Sequence, residues 1–313
     1  MPSLKRGTSA AATPVEEENE KERDIELSLQ SPLRFRSWLG HCSIVMENLD
    51  LQRKENIDNV QMFKWSSSSS SSRWENLNPE ILALILARIP IEERVGLVSL
   101  VCKNWLACIW GPYCWSEINI QNWCRKRERS VEDVDLVAHK LMNRNRGSFR
   151  LLSAFKLGNR GFISAANWGK NLKVLEIPMS EVTDKMVERH VDSLVNLSVL
   201  DISYCLNITS KGIGVFGKNC KGLTELRRNF RFVMLNEIDN SEAMVIGSTM
   251  SALKKLDMCF GTFEEVGLQA ILTNCKALSH LNIQGSWNVN LEGDVLDKCL
   301  KLEFFSEKIF FKQ

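Results

Sequence analysis

Ten cysteines and four histidines carry most of the reactive chemistry that this 313-residue chain has to offer. A thiolate beside an imidazole base would give nucleophilic catalysis, and sulfur and imidazole ligands at close spacing would hold zinc. Neither pattern assembles. Cys102, Cys108, Cys114 and Cys124 cluster loosely, without the C-x-x-C pair that zinc sites use. His41, His139, His190 and His280 share no spacing with one another or with a cysteine. No G-x-S-x-G elbow, phosphate-binding loop or dinucleotide fingerprint is present. The sequence predicts a chain that is not an enzyme and holds no metal and no cofactor. The cysteines have another use: Cys220, Cys275 and Cys299 each stand three residues before a leading apolar residue, and Cys205 and Cys259 share a second repeated position. Periodic placement is a packing signature, because a buried free thiol behaves as a small hydrophobe.

What positions them is an internal repeat. Leu172-x-x-Leu175-x-Ile177, Leu197-x-x-Leu200-x-Ile202, Leu223-x-x-Leu226, Leu253-x-x-Leu256-x-Met258 and Leu278-x-x-Leu281-x-Ile283 have leading leucines 25, 26, 30 and 25 residues apart. Leu152-x-x-Phe155-x-Leu157 and Leu302-x-x-Phe305 read as degenerate first and last copies, so about six or seven units fill residues 149–313. A unit this short cannot bury its own apolar side, and neighbours must stack into a solenoid. Alternation at the end of each unit fits a short strand, and the next segment fits a helix, with Thr or Ser available as a cap near Thr183 and Thr209. One unit departs: Arg228 takes a position that is apolar elsewhere, and residues 229–250 stretch the spacing. An insertion is expected there.

A second segment, Trp74 to Trp115, exposes more apolar helix than it can bury by itself. Asn78 is a good N-cap, Pro79 suits the first helical position, and Glu80 favours the positive end of the helix. Ile81, Ile85 and Ile89 recur at helical spacing, Leu82 and Leu86 repeat it beside them, and Leu84 widens the apolar sector before Pro90 stops the helix. A second helical pattern runs from Val95 through Val98, Val101, Cys102, Trp105 and Ile109 to Gly111-Pro112. About 42 residues make a marginal core, so the surplus apolar face calls for a partner surface.

The order Leu77-x-Pro79-Glu80-Ile81-Leu82, Ile89-Pro90, Val98-x-x-Val101-Cys102-Lys103-x-Trp105 and Trp115 resembles the F-box, the adaptor-binding module of Skp–cullin–F-box ubiquitin ligases. Asn78 stands where the family usually has Pro, and Gly96 and Gly111 loosen the second half. The cadence of the repeat, with Cys205 after Ile202 and Cys220 before Leu223, resembles the cysteine-containing class of leucine-rich repeat. Together they resemble the plant F-box/leucine-rich-repeat proteins, including the short FBW group. The resemblance implies an α/β chain in which a small all-helical F-box precedes a short solenoid with strands on its concave side. It also implies a non-catalytic substrate-recognition subunit of the ligase, with a non-degradative scaffold or competitor for the adaptor as the alternative. Its partners would be a Skp-type adaptor, through that a cullin and a RING subunit, and an unidentified protein substrate. The adaptor contacts it implies are Leu77, Pro79, Ile81, Leu82, Ile85, Pro90, Val98, Val101, Cys102, Trp105 and Trp115.

Three zones precede the repeats. Residues 1–73, with a charged cluster from Glu16 to Glu26 and seven serines from Ser66 to Ser72, are expected to be disordered, the serines serving as a linker. Residues 74–120 are the box, and 121–148 a solvated linker helix. Arg125-Lys126-Arg127-Glu128-Arg129, Arg144 and Arg146 make that helix only modestly basic, with too few aromatics for a nucleic-acid footprint. Arg88 breaks the best apolar run, so no membrane partner is expected; with no apolar leader and an acidic start, the expected location is nucleus or cytoplasm, with free thiols. The net charge of +2 decides nothing about partners.

If strands line the concave side, the residues between the repeated apolar positions point into it: Glu176, Asp201, Arg227, Lys255, Asp257, His280 and Asn282 are the candidate substrate contacts. Mixed charges there suit a protein surface better than a greasy ligand. Phe304, Phe305, Ile309, Phe310 and Phe311 leave apolar residues where a solenoid wants a polar cap, so either they fold back as that cap or the chain is a shortened version.

Overall fold

The structure, a computed structural model, describes Trp74 and residues 77–126, 129–145, 147–231 and 238–307. The expectation of disorder over residues 1–73 lies outside the described residues, as do Ile309, Phe310 and Phe311.

Three short helices make the box: α1 (Pro79–Leu86), α2 (Ile91–Gly96) and α3 (Lys103–Trp110), with 3-10 turns at Val98–Leu100 and Pro112–Trp115. Beyond it runs β1 (Glu117–Asn119), then α4 (Gln121–Lys126), α5 (Val131–Asn145), β2 (Leu151–Ser153), α6 (Asn159–Trp168), β3 (Val174–Glu176), α7 (Asp184–His190) and β4 (Val199–Asp201). The series continues with α8 (Ser210–Asn219), β5 (Glu225–Arg227), α9 (Ser241–Thr249), β6 (Lys255–Asp257), α10 (Glu265–Asn274), β7 (His280–Asn282), α11 (Gly293–Leu300) and β8 (Phe304–Ser306).

All eight strands are parallel and lie in chain order, each paired with its sequence neighbour. Ile118, Leu152, Leu175, Leu200, Leu226, Leu256, Leu281 and Phe305 stand in register as one central row. All but Phe305 are buried. The leading leucines Leu172, Leu197, Leu223, Leu253 and Leu278 are buried as well, so the stacking that the spacing predicts is what removes each unit's apolar side from water.

Within 121–148, where a solvated linker helix is expected, the described residues are packed into the repeat. Ile118 of β1 already begins the sheet, and α5 packs on α6 with Val134, Ala138, Leu141 and Met142 buried. The apolar face of α5 needs the next helix, so the segment works as a leading unit.

Units are joined by side chains as well as by the ladder. Asp135 Oδ1 accepts from Gly158 N (2.7 Å), and Asn159 Oδ1 from Thr183 N (3.1 Å). Asp184 Oδ1 accepts from Thr209 N (2.9 Å) and Gly212 N (3.0 Å), and Asn240 Oδ1 from Glu264 N (3.0 Å) and Gly267 N (3.2 Å). The starts of α6, α7, α8 and α10 are thus capped from the preceding unit, while Ser241 N at the start of α9 donates to Asp239 Oδ1 of its own unit. Thr209 caps its own helix through Lys211 N (3.2 Å), but Thr183 does not.

Past β2, β3, β4, β6 and β7 the chain turns through a left-handed residue: Lys156, Met179, Tyr204 and Phe260 have φ of 61, 58, 62 and 59°, and Gly285 has 77° at the same place. Their N–H groups donate to the next unit, Met179 to Ser203 O, Tyr204 to Asn229 O and Phe260 to Gln284 O, each at 2.8 Å. The turn is therefore fixed by the ladder, whatever side chain it carries.

Candidate protein-interaction surfaces

In the box, Asn78 Oδ1 accepts from Glu80 N at 2.8 Å and so starts α1, with Pro79 at a position that needs no donor. One face of α1, with Leu82, Ala83 and Leu86, is buried; the other leaves Ile81, Leu84 and Ile85 in solvent, Leu84 70 % exposed. Leu97, Leu100, Val101 and Tyr113 are exposed too. Among the described residues, eight of the seventeen exposed large apolar side chains fall between Trp74 and Tyr113. That concentration is the box's main chemical property.

The buried side explains why the face holds its shape. Arg94, itself buried, donates to Cys114 O (2.6 Å), Ala87 O (2.6 Å) and Ile89 O (2.9 Å) and lies over the Trp115 ring. Trp115 Nε1 donates to Ile109 O at 2.7 Å, and Asn145 Nδ2 of α5 donates to Trp115 O. Three expected adaptor contacts therefore need correction. Leu82, Val98 and Trp115 are buried in the box's own core and brace the face from behind. Pro79, Ile81, Ile85, Pro90 and Val101 are exposed, and Leu77, Cys102 and Trp105 are partly so. Leu84, Leu97, Leu100 and Tyr113 join the exposed set without having been named as contacts, and the i, i+3, i+4 spacing of Ile81, Leu84 and Ile85 puts those three on one face of α1.

On the sheet, the face away from the helices carries two in-register rows. Glu176, Asp201, Arg227, Asp257, Asn282 and Ser306 form one, and Val174, Val199, Glu225, Lys255, His280 and Phe304 the other. Arg227 gathers three acids: Nη1 is 3.2 Å from Glu176 and 3.8 Å from Asp201, and Nη2 is bound to Glu225. Glu225 thus belongs with the candidates. Burial pushes the Asp257 carboxyl above its usual range against the pull of Arg227, and Glu225 and Asp201 push the same way as burial. Lys255 is exposed; His280 stands apart, stacked on Phe304 at 6.0 Å with Nδ1 2.7 Å from Ser279 Oγ; Asn282 Oδ1 accepts from Gln284 N. Acids outnumber bases over the middle of this face.

Seven of the nine described thiols are buried. Cys205 donates to Ile177 O (3.1 Å), Cys220 to Leu194 O (3.3 Å) and Cys275 to Met250 O (3.5 Å), each a carbonyl of the preceding unit. Burial pushes Cys220 up to about 12 and Cys205, Cys275 and Cys299 to about 11, far from a reactive thiolate. Among the described residues no group of three His, Cys, Asp or Glu is placed to hold a metal ion, and no helix is long and apolar enough to cross a membrane.

Residues 74–117 match the F-box domain family. The chain is 34% identical to F-box protein FBW2 of Arabidopsis thaliana over 75% of its own length and 72% of that protein. It is 28% identical to F-box protein SKIP19 of the same plant, covering 74% of this chain and 75% of that one. Putative F-box/LRR-repeat protein 22, also from Arabidopsis thaliana, is 28% identical over 74% of this chain and 75% of that protein. With a helical box, a parallel-strand repeat and these likenesses in agreement, the chain belongs to the plant F-box/leucine-rich-repeat family.

Proposed function

We propose that this F-box protein is the substrate-recognition subunit of a Skp–cullin–F-box ubiquitin ligase, working in nucleus or cytoplasm. The observation that carries the reading is the exposed apolar set Ile81, Leu84, Ile85, Leu97, Leu100 and Val101, held on a braced helical box. A Skp-type adaptor is the partner that would bury it. Each such side chain contributes roughly 1.5–3 kcal/mol when fully removed from water, so a handful suffices for a stable complex. Through the adaptor the chain would meet cullin and RING subunits, and the repeats would present a protein substrate. Chemistry stays with the conjugating enzyme; this chain raises the effective concentration of substrate lysines near it.

Co-expression with a Skp-type adaptor tests the first half, the expected result being a stoichiometric complex that Leu84→Asp abolishes. A chain that elutes without adaptor would overturn it. Proteasome-dependent loss of a protein captured by the repeats tests the second half; capture without turnover would identify a non-degradative scaffold instead.

A further inference from the structure

At the amino ends of the strands the repeat carries two rows of cations. Counting each unit from its leading apolar residue, Phe149 in the first, Lys170, Lys221 and Lys276 stand two places before it and Arg150, Lys173 and Lys254 one place after it. All six are exposed, and among the described residues none is in an ion pair. Glu303 is the one acid in those two rows, in a chain whose 40 basic and 38 acidic residues nearly balance, so the cations are segregated to this edge. The ladder holds them there: Lys173 N donates to Arg150 O (2.9 Å), Ser198 N to Lys173 O (2.8 Å) and Lys254 N to Thr224 O (2.8 Å). Arg150 and Lys173 come just before the registered pair Leu151 and Val174, so like charges stand opposite each other on neighbouring strands, which costs stability. A cavity of about 440 Å³ opens beside them, bordered also by Ser148, Asn171 and Asn196. Asn171 Nδ2 donates to Gly147 O (3.3 Å) and Asn196 Nδ2 to Lys170 O (2.7 Å), which leaves both Oδ1 atoms as acceptors with no partner among the described residues.

We propose that this edge docks an acidic protein segment, an extended run rich in Asp and Glu. Its carboxylates neutralise the cations and relieve the repulsion between Arg150 and Lys173. The Asn171 and Asn196 oxygens call for donors, and a polypeptide brings backbone N–H groups along with its carboxylates. A phosphodiester backbone or a lipid phosphate brings acceptors only, and neither row offers an aromatic ring for a base to stack on. Five of the six cations are lysine, a hydrated point charge without the planar fork that arginine offers to phosphate. With strands about 4.8 Å apart, the rows run roughly 24 Å from β2 to β7, the reach of about seven residues of extended chain. The edge lies off the sheet face, so it is open whatever that face holds, and the inference does not depend on the substrate-receptor reading.

The test titrates the full chain against fluorescent probes: a Glu/Gly peptide of about ten residues, a Lys/Gly peptide of equal length, single- and double-stranded DNA, and phosphatidylcholine vesicles with and without phosphatidylserine. The Glu/Gly peptide is expected to bind, more weakly as salt is raised, and the other probes poorly. Lys173→Glu should lose about five-fold or more in affinity for that peptide while its melting temperature holds or rises, because the new acid stands opposite Arg150. Lys254→Glu should repeat the loss at a second place on the edge. Lys185→Glu, at an exposed position of α7, makes the same change in net charge and should bind as the parent chain does. No binding of the Glu/Gly peptide, full affinity in both edge variants, equal loss in Lys173→Glu and Lys185→Glu, or tighter binding of DNA or of the phosphatidylserine vesicles overturns the inference.

Discussion

Arg228 and Glu242 form a two-pronged ion pair inside the solenoid, Nη2 to Oε1 at 2.9 Å and Nε to Oε2 at 3.0 Å, with the arginine side chain 2 % exposed. The guanidinium also donates to Ile202 O (3.2 Å), Cys205 O (2.8 Å) and Ile208 O (2.8 Å) of the preceding unit. It occupies the place that Ile177, Ile202, Met258 and Ile283 hold in other units, and it lies over the Phe230 ring. A charge is tolerated there because every prong finds an acceptor. Glu242→Ala is expected to destabilise the chain by roughly 3–5 kcal/mol, the usual result of orphaning one buried partner. Arg228→Met should be no milder, since it leaves Glu242 without its partner and Ile208 O without the guanidinium that donates to it, although Ile202 O and Cys205 O keep the N–H groups of Cys205 and Ile208. Urea denaturation measures both; a loss under about 1 kcal/mol for either would show that the pair is not structural.

Gly212 tests the capping between units. A methyl there would collide with Asp184 Oδ1, the oxygen that caps the next helix. Gly212→Ala should therefore destabilise by about 1–3 kcal/mol, although alanine is the better helix former. Asp184→Ala alone should lose about 1 kcal/mol of cap. Combined, the two should cost less than their sum, because removing the carboxylate removes the collision, and a double-mutant cycle reads that coupling. Simple additivity would place the clash elsewhere.

For the box, exposure separates two kinds of variant. Ile81→Ala, Leu84→Ala and Ile85→Ala are expected to weaken adaptor binding with little change in melting temperature, as their side chains face solvent in the free chain. Leu82→Ala, by contrast, should destabilise the box by about 2–5 kcal/mol and lose adaptor only as a consequence. Calorimetry beside a pull-down decides; a stable Leu82→Ala chain that no longer binds would mean that Leu82 touches the adaptor after all.

Asp257 gives a pH signature. Its carboxyl is held above its usual range, so the native state binds its proton more tightly than the unfolded state does. Stability is then lost as pH rises from the ordinary carboxylate value through the raised one. Asp257→Asn should stabilise the chain at pH 7, the advantage shrinking toward nothing near pH 3, where both forms are neutral. An advantage that grows on acidification would have the wrong sign.

Buried thiols run the same way at the other end of the scale. Cys220, pushed up to about 12, and Cys205 and Cys275, pushed to about 11, stay protonated in the native chain where unfolded thiols near 9 would ionise. Stability should be intact below pH 9 and fall as pH rises toward 11. At pH 8 these three should resist maleimide until the chain unfolds, and rapid labelling of the native chain would contradict their packing role.

Much of this architecture was legible, and the failures have physical causes. The unit spacing exposed the strand leucines because a stacked unit needs one buried residue at the same place every time. Asn78-Pro79-Glu80 announced α1 because capping is local. Which side of α1 faces out was not readable, since Leu82 and Leu84 are equally apolar and only the rest of the box decides between them. The caps from Asp135, Asp184 and Asn240 were missed because their acceptors and donors lie a whole unit apart, yet glycines at Gly161, Gly212 and Gly267 mark where a cap oxygen leaves no room for a Cβ. Arg228 looked like a defect because its carbonyl partners belong to the unit before it. The left-handed turns were invisible for a similar reason: only Gly285 advertises them, and the other turns carry side chains that disguise them.

The relay of caps runs one way, always from an earlier unit to a later one. Loss of an earlier unit strips the cap from α6, α7, α8 or α10, whereas loss of a later unit leaves every such cap before it in place and opens only backbone donors of the ladder, such as Met179 N and Tyr204 N. The solenoid is in that sense polarised like a zipper with a fixed first tooth, and Asp135 of α5, which caps at Gly158, is that tooth. Assembly in the order of synthesis never leaves a helix waiting for its cap, and a repeat array cut free after α5 would begin with an open end.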